Sequence, residues 1–381
     1  MACNCKQYQV KFLSVRHSVV QRLQVENLPD LLMKILFIKL SAIGDVVQTL
    51  PALEAIKKLY PDSEITWIVE EAAAGILDGH PLIDRVLISR RKVLTGMLKH
   101  PFTLMRGLIG IVSFFYELRS TRYDIAIDFQ GLFKSGILIG LSHANRKIGF
   151  DRTRELSYLF LNERLPAYDI EKHALERYLD VARYLGAKDP SPTCTLPMKH
   201  EISKMSRKIA AVKEQGKPLV VINPVARWKT KLWRERNFAE LADRLAQEKQ
   251  ALVIFTGSPA DRDVNQRIIS GMKQSAMNWA GETSLKELAA LAVLSDLFIT
   301  TDTGPMHLAA AAGAKVLALF GPTAPWRTGP YGKSQLVVRA GIECSPCFKR
   351  NCEDNIRCME GITVEDVMRQ LQNTFQRSNF K

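Results

Sequence analysis

Residues 39–45 read Lys-Leu-Ser-Ala-Ile-Gly-Asp and join an apolar run to an amphipathic one. Such a junction is where doubly wound folds bind ligands, and it places Asp45 at the start of a helix. Gly44 beside it leaves room for close approach to the free N–H groups of the first turn. Asp45 would serve there as a cap or as a counter-charge to the helix dipole. Asp302-Thr-Gly-Pro-Met-His307 sets up a similar junction a second time. Pro305 fits the first helical position, so the free amides, the Thr303 hydroxyl and His307 would converge on a pyrophosphate. A capped helix with a structural histidine reads alike. Gly321-Pro-Thr323 follows the next apolar run and adds a loop at the same edge. Arg227-Trp-Lys-Thr-Lys231 puts three cations on one loop, a composition that neutralises phosphate or simply stays solvated.

Other groupings are weaker. Asp261-Arg-Asp263 matches a D-x-D metal motif, but it opens a helix, where acidic residues offset the dipole. Cys344, Cys347, Cys352 and Cys358 lie close enough in sequence to hold a tetrahedral metal, and buried free thiols or a redox pair fit them as well. Zinc there is the minor alternative, and no metal or cofactor is expected. Arg90-Arg91-Lys92 and the stretch 99–119 set cations beside Phe102, Leu104, Leu108, Ile109, Ile111, Val112, Phe114 and Phe115. That mixture suits a segment on a membrane surface, or a core-packed helix with a basic edge.

These groups need a scaffold that presents them at strand ends. Short apolar runs at 34–39, 64–69, 85–88 and 124–128 read as strands, with helices at 45–59, 132–141 and 171–185. Prolines at 190, 192 and 197 mark a linker over 187–199. The rhythm then restarts, with strands at 218–223, 251–256, 297–300 and 315–320 and helices near 237–247, 261–270, 285–294, 305–312 and 363–375. Alternation of this kind implies an α/β fold of two Rossmann-like halves, with ligand held in the cleft beyond the strand ends. The expected division is a weakly ordered extension over residues 1–32, one half over 33–190 and another over 191–381.

The 381 residues carry 53 Lys and Arg against 39 Asp and Glu, a net charge of +14. The extension holds only +2 of that excess, so the two-domain body carries the rest, which favours an anionic partner (nucleic acid, a phosphate-rich ligand or an anionic membrane) or simply a solvated basic surface. Hydrophobic content of 46% excludes wholesale disorder. The G-x-G-x-x-G fingerprint is absent, which disfavours a dinucleotide dehydrogenase. The longest apolar run, 108–115, is too short to cross a bilayer. Seven scattered cysteines and no apolar leader over residues 1–30 point to the cytoplasm.

Taken together, Lys39-Leu-Ser-Ala-Ile-Gly-Asp-Val-Val-Gln-Thr-Leu-Pro-Ala-Leu53, Asp124-Ile-Ala-Ile-Asp-Phe-Gln-Gly-Leu-Phe-Lys-Ser135, Lys231-Leu-Trp233, Asp302-Thr-Gly-Pro-Met-His307 and Phe320-Gly-Pro-Thr323 resemble the lipopolysaccharide heptosyltransferases, inverting glycosyltransferases of family 9. The resemblance spans nearly all of the chain after the extension. Its first-half motifs are similar to heptosyltransferase I, and its cysteine run to heptosyltransferase II relatives.

The resemblance implies a GT-B fold, two Rossmann-like domains facing a central cleft, with a metal-independent reaction. The donor would be ADP-heptose and the acceptor the anionic Kdo and heptose inner core on lipid A. Asp45 would be the catalytic base and Lys231 the group that stabilises the departing diphosphate. Asp302, Thr303, Gly304 and His307 would bind donor, with Gly321 and Thr323 beside them and Asp261 near the nucleoside. Gly44, Arg90, Arg91, Gln130 and Lys134 would meet the acceptor. Such an enzyme would work at the cytoplasmic surface of the inner membrane, with no nucleic acid as partner. A different nucleotide sugar or acceptor is the alternative. A basic zinc-dependent nucleic-acid-binding protein is the minor one.

Overall fold

The structure, a computed structural model, describes residues 32–214, 216–333 and 335–375. Of the extension expected over 1–32, all but Leu32 lies outside the described residues. Strand β1 (Lys34–Ile38) is apolar on both faces because both are covered. Ile35 and Phe37 enter one core cluster, and Leu36 and Ile38 enter another. After β1 come α1 (Ile43–Leu59), β2 (Glu64–Glu70), α2 (Glu71–Leu77), β3 (Arg85–Ser89), α3 (Arg91–Met97), α4 (Pro101–Arg119), β4 (Arg122–Asp128), α5 (Phe133–Leu141), β5 (His143–Phe150), β6 (Glu163–Leu165) and α6 (Ala174–Tyr184). The six strands form one sheet in the order β3-β2-β1-β4-β5-β6, every neighbouring pair parallel.

The second half repeats this plan. Its elements are α7 (Lys199–Ala210), β7 (Leu219–Asn223), α8 (Glu235–Glu248), β8 (Leu252–Phe255), α9 (Arg262–Ser270), β9 (Met277–Asn278), α10 (Leu285–Leu294), β10 (Leu297–Thr301), α11 (Gly304–Ala311), β11 (Val316–Leu319), α12 (Pro325–Thr328), β12 (Leu336–Val338), α13 (Arg357–Glu360) and α14 (Val364–Phe375). The sheet order is β9-β8-β7-β10-β11-β12, again all parallel. In both sheets the strand order reverses beside the first strand, between β1 and β4 and between β7 and β10. Crevices at such points are where doubly wound sheets hold ligands.

One core runs through both halves: Val46 and Leu50 of α1 share a cluster with Met306 and Leu308 of α11. Two glycines permit this contact. A Cβ on Gly44 would overlap the His307 ring, and a Cβ on Gly304 would sit 2.9 Å from the Cβ of Ile43. The halves also meet where His173 before α6 donates from Nε2 to the Gly329 carbonyl at 3.1 Å. There the Tyr331 hydroxyl donates to Glu176 at 2.5 Å and the Trp326 indole to Glu171 at 2.8 Å.

Three expectations need correction. The strand β5 is not expected from the sequence, because its first residues, His-Ala-Asn-Arg-Lys, are mostly polar and largely solvent-facing, and only Ile148–Phe150 are fully buried. α2, α3, α7, β9 and β12 were likewise unread. The apolar run 108–115 belongs to a 19-residue helix, α4, that by length and composition is long enough to cross a membrane. Its apolar residues are interrupted by Thr103, Arg106 and Gly107, so the unbroken run understates it.

Gly44→Ala should destabilise the chain by about 1–3 kcal/mol by overpacking against His307, and His307→Ala in the same chain should recover most of it. Gly75→Ala, in α2 with nothing within 4 Å of the new methyl, should instead stabilise by about 0.5–1 kcal/mol. Urea unfolding measures both. Burial drives the His173 pKa down to about 4, against the Gly329 hydrogen bond. A depressed histidine stabilises fully above its unfolded value of about 6.5 and progressively less as pH falls toward about 4. Unfolding midpoints of His173→Gln should therefore lose part of the wild-type pH dependence between those limits.

Candidate active site

Asp45 lies in the first turn of α1, and each oxygen of its half-buried carboxylate accepts one hydrogen bond. Oδ2 accepts the Ala42 N–H at 3.0 Å, one half of a capping box, and Oδ1 accepts the Tyr178 hydroxyl at 3.1 Å. The Tyr178 oxygen in turn accepts from Lys39 Nζ at 2.6 Å, and Lys39 also donates to the Phe129 carbonyl at 3.1 Å. Lys39 is only 2% exposed. Burial lowers its pKa, opposed by Asp45 and Asp128. Burial also pushes the Asp45 carboxyl up, yet Lys39, the Ala42 N–H, His307 and the Tyr178 hydroxyl outweigh it and hold the group below the ordinary aspartate value. Tyr178 is raised well above the usual phenol value by burial and by Asp45, so it remains a donor.

Across the cleft, Asp302 follows β10 and is 6% exposed. Its Oδ2 accepts from Lys231 Nζ at 2.6 Å and from the Thr323 hydroxyl at 2.6 Å. Lys231 lies 4.5 Å from the centroid of the Trp228 ring, and the Arg350 guanidinium 5.0 Å from the same ring. Thr303 precedes α11, and its hydroxyl sits 3.3 Å from that of Thr300. His307 links the two sides. Its Nδ1 is 3.1 Å from the Gln48 amide nitrogen, which leaves Nε2 as the protonated nitrogen. Burial lowers its pKa, Asp302 and Asp45 raise it and Lys231 lowers it further, so all three charges act on this one ring.

Gln130 and Lys134 stand behind the Asp45 loop. Gln130 Oε1 accepts the N–H groups of Leu40 and Ser41, both at 3.1 Å. Lys134 Nζ donates to Glu70 at 2.9 Å and to the Ser41 hydroxyl at 3.4 Å. Glu70 also lies 3.7 Å from Arg91 and 3.7 Å from Lys92, and Arg90 is 4.0 Å from Glu71. Burial raises the Glu70 pKa, but these cations, Lys134 foremost, bring it below the ordinary value.

Other candidates sit apart. The Asp261 carboxylate caps its own turn, accepting the Ser258 N–H at 2.7 Å and hydroxyl at 2.6 Å. A Cβ on Gly321 would meet the Met359 sulfur at 2.5 Å, so packing alone demands glycine there. Cys344 and Cys352 are exposed and Cys358 buried. Among the described residues, no group of three or more His, Cys, Asp or Glu is placed to hold a metal ion.

Sequence reasoning missed Lys39 as a functional residue, and with it Tyr178, Gln48 and Glu70. A lysine ending an apolar strand is a signal for the first. Tyr178, Gln48 and Glu70 carry none, because their partners lie 139, 259 and 64 positions away.

Comparison with known proteins places the chain in a family. Residues 111–356 match the model of "Glycosyltransferase family 9 (heptosyltransferase)". The chain is 32% identical to lipopolysaccharide heptosyltransferase 1 of Pseudomonas aeruginosa, over 84% of this chain and 87% of that one. It is 30% identical to the lipopolysaccharide core heptosyltransferase OpsX of Haemophilus influenzae, over 79% and 82%. Its fold superposes on Escherichia coli heptosyltransferase WaaC with ADP at a TM-score of 0.71 and 25% identity, covering 90% of this chain and 99% of that one. With two parallel-sheet domains of GT-B type and these relatives, the chain belongs to glycosyltransferase family 9.

Proposed function

We propose that the protein is an inverting heptosyltransferase. It would move heptose from ADP-L-glycero-β-D-manno-heptose to the Kdo and heptose inner core of lipopolysaccharide, at the cytoplasmic surface of the inner membrane. The observation that carries this reading is the apposition of Asp45 at the start of α1 to the Lys231–Asp302–Thr323 cluster, with His307 between them. The relatives, lipopolysaccharide heptosyltransferases, supply the sugar and the acceptor class. In this reading residues 33–190 bind acceptor and residues 191–381 bind donor.

A single inversion needs a base on the acceptor face and positive charge on the leaving-group face. Asp45 is ionised at neutral pH and points at neither a lysine nor an arginine directly; its contacts are an amide and a phenol. A carboxylate held below its ordinary pKa is a weak base. It therefore takes the acceptor proton late, when the attacking oxygen has become acidic beside an oxocarbenium-like carbon. On the other face, Lys231 exchanges Asp302 for diphosphate oxygens as charge develops there, while the free amides at the start of α11 and His307 Nε2–H add donors. Gln130 fixes the backbone of the Asp45 loop. Lys134, Arg90 and Arg91 supply the positive field for an acidic sugar. Asp261 and the Gly321–Thr323 loop frame the nucleoside side.

Purified protein with ADP-heptose should transfer to Kdo₂-lipid A ahead of its heptosylated form. Transfer from a UDP-hexose with none from ADP-heptose would replace this reading with the other donor. Asp45→Asn should lower kcat by roughly 10²–10⁴-fold with donor affinity kept. Lys231→Ala should lower it by roughly 10²–10³-fold, and calorimetry with ADP separates binding from turnover. The pH profile gives a further check. Tyr178→Phe removes a donor that stabilises the Asp45 carboxylate, so its pKa rises and the acid limb of kcat/KM moves to higher pH. Lys39→Met should move it further, since Lys39 is the largest of the influences that lower it. An unmoved limb in both variants would remove Asp45 from the rate-determining proton transfer.

A further inference from the structure

α4 has an inner face that the fold accounts for and an outer face that it does not. Phe114, Phe115 and Leu118 pack on the cluster of Leu36, Ile38, Ile68 and Tyr123. Gly107 and Gly110 admit Leu98 and Leu94 beside α3. On the outside, Phe102, Met105, Ile109, Val112 and Tyr116 are 97%, 66%, 62%, 67% and 77% exposed. At 100° per residue these five fall within an arc of about 80°, a continuous apolar stripe of a kind that water-facing surfaces rarely carry.

The charge around this stripe has one sign. Residues 90–119 hold six Lys and Arg and one acid, Glu117, which Arg85 already pairs at 2.7 Å. Arg106 flanks the stripe on the same wheel, and Lys99 precedes the helix. Although α4 is long enough to span a bilayer, both of its ends are tied to one sheet: α3 and α4 form the crossover between β3 and β4. A spanning helix would have to deliver its ends to opposite sides, so this one can only lie in the plane of a surface.

We propose that α3 and α4 form the membrane-docking element, with the outer stripe of α4 seated at the boundary between headgroups and acyl chains of an anionic bilayer. The proposal rests on the reading of the acceptor as lipid-borne. It adds the lipid chemistry and the element that meets it. The position suits that substrate, because Arg91 and Lys92 at the start of α3 reach Glu70, the carboxylate that also holds Lys134 beside the Asp45 loop. The docking element is thereby continuous with the acceptor side of the site.

Flotation of the full chain with phosphatidylglycerol-containing and pure phosphatidylcholine vesicles tests this. The protein should float with the anionic vesicles and be released by salt. Ile109→Ser with Val112→Ser should cut partitioning at least tenfold, and Lys99→Gln or Arg106→Gln about fivefold each on anionic vesicles only. Transfer to a delipidated, water-soluble Kdo acceptor should be unchanged in all of them. Equal flotation of the serine variant would overturn the proposal. So would a dimer, seen by sedimentation, that the serine variant abolishes while neither protein binds vesicles. Vesicle binding as expected, with no transfer from any ADP-sugar, would sink the transferase reading and leave the docking surface standing.

Discussion

Two helix starts face each other across the halves of this protein, and nearly every feature of the site answers to that. α1 and α11 both begin at a switch point, and both present partial positive charge. Gly44 and Gly304 let them touch, each lying where the other half leaves no room for a methyl. Converging positive ends need negative charge. Asp45 and Asp302 provide it, one in the first turn of α1 and one just ahead of Thr303. Lys39 and Lys231 then offset the carboxylates, and the His307 ring lies within reach of Asp45, Asp302 and Lys231. A diphosphate leaving group and an attacking hydroxyl fit a place with that alternation of charge.

The Lys39–Tyr178–Asp45 chain is the costliest part of this arrangement. A lysine that is 2% exposed has lost nearly all of its hydration. Its replacement partners are one carbonyl, one phenol and the charges of Asp45 and Asp128. Stability alone would favour an apolar residue here. The phenol between the two charges keeps Lys39 from neutralising Asp45 by direct contact, while its hydroxyl aims the carboxylate. An ionised but unbridged carboxylate results, which suits the base proposed for an inverting transfer.

Much of this was legible in the residues. The strand and helix rhythm implied two Rossmann-like halves, and the loops after β1, β7, β10 and β11 were picked out as carrying the chemistry. They were legible because the signals are local: an apolar run, a glycine or proline, a charged residue at a junction. The expected helix over 285–294 coincides with α10, whose Ser284 and Glu287 form a capping box. Long-range partners left no such trace. Tyr178 lies on a helix face like any buried aromatic, and only the packing of α6 against α1 gives it a role. Gly44 was read as room for a ligand, and the space beside it is filled by His307. Polar strands such as β5, paired on both sides by β4 and β6, escaped because their hydrogen bonds, not their side chains, hold them in the sheet.

The charge of the chain gains a location from this geometry. Glu70 is a single carboxylate shared by Lys134, Arg91 and Lys92, with Arg90 nearby on Glu71. One anion cannot neutralise three cations, so a positive surplus remains where the Asp45 loop meets α3. Arg91 and Lys92 are themselves exposed, and at 3.7 Å from Glu70 they contribute little to folding, so stability gives little reason to gather them. A surplus held beside a candidate base, and continuous with a helix whose outer face is apolar, suits a substrate that is both acidic and lipid-bound. An acidic sugar would displace Glu70 from part of this cluster at small cost, since the cations are already in place and lose few contacts in the exchange. The basic excess is thus better read as a binding surface with a direction, from the apolar stripe of α4 through Glu70 and Lys134 to Asp45, than as charge spread for solubility.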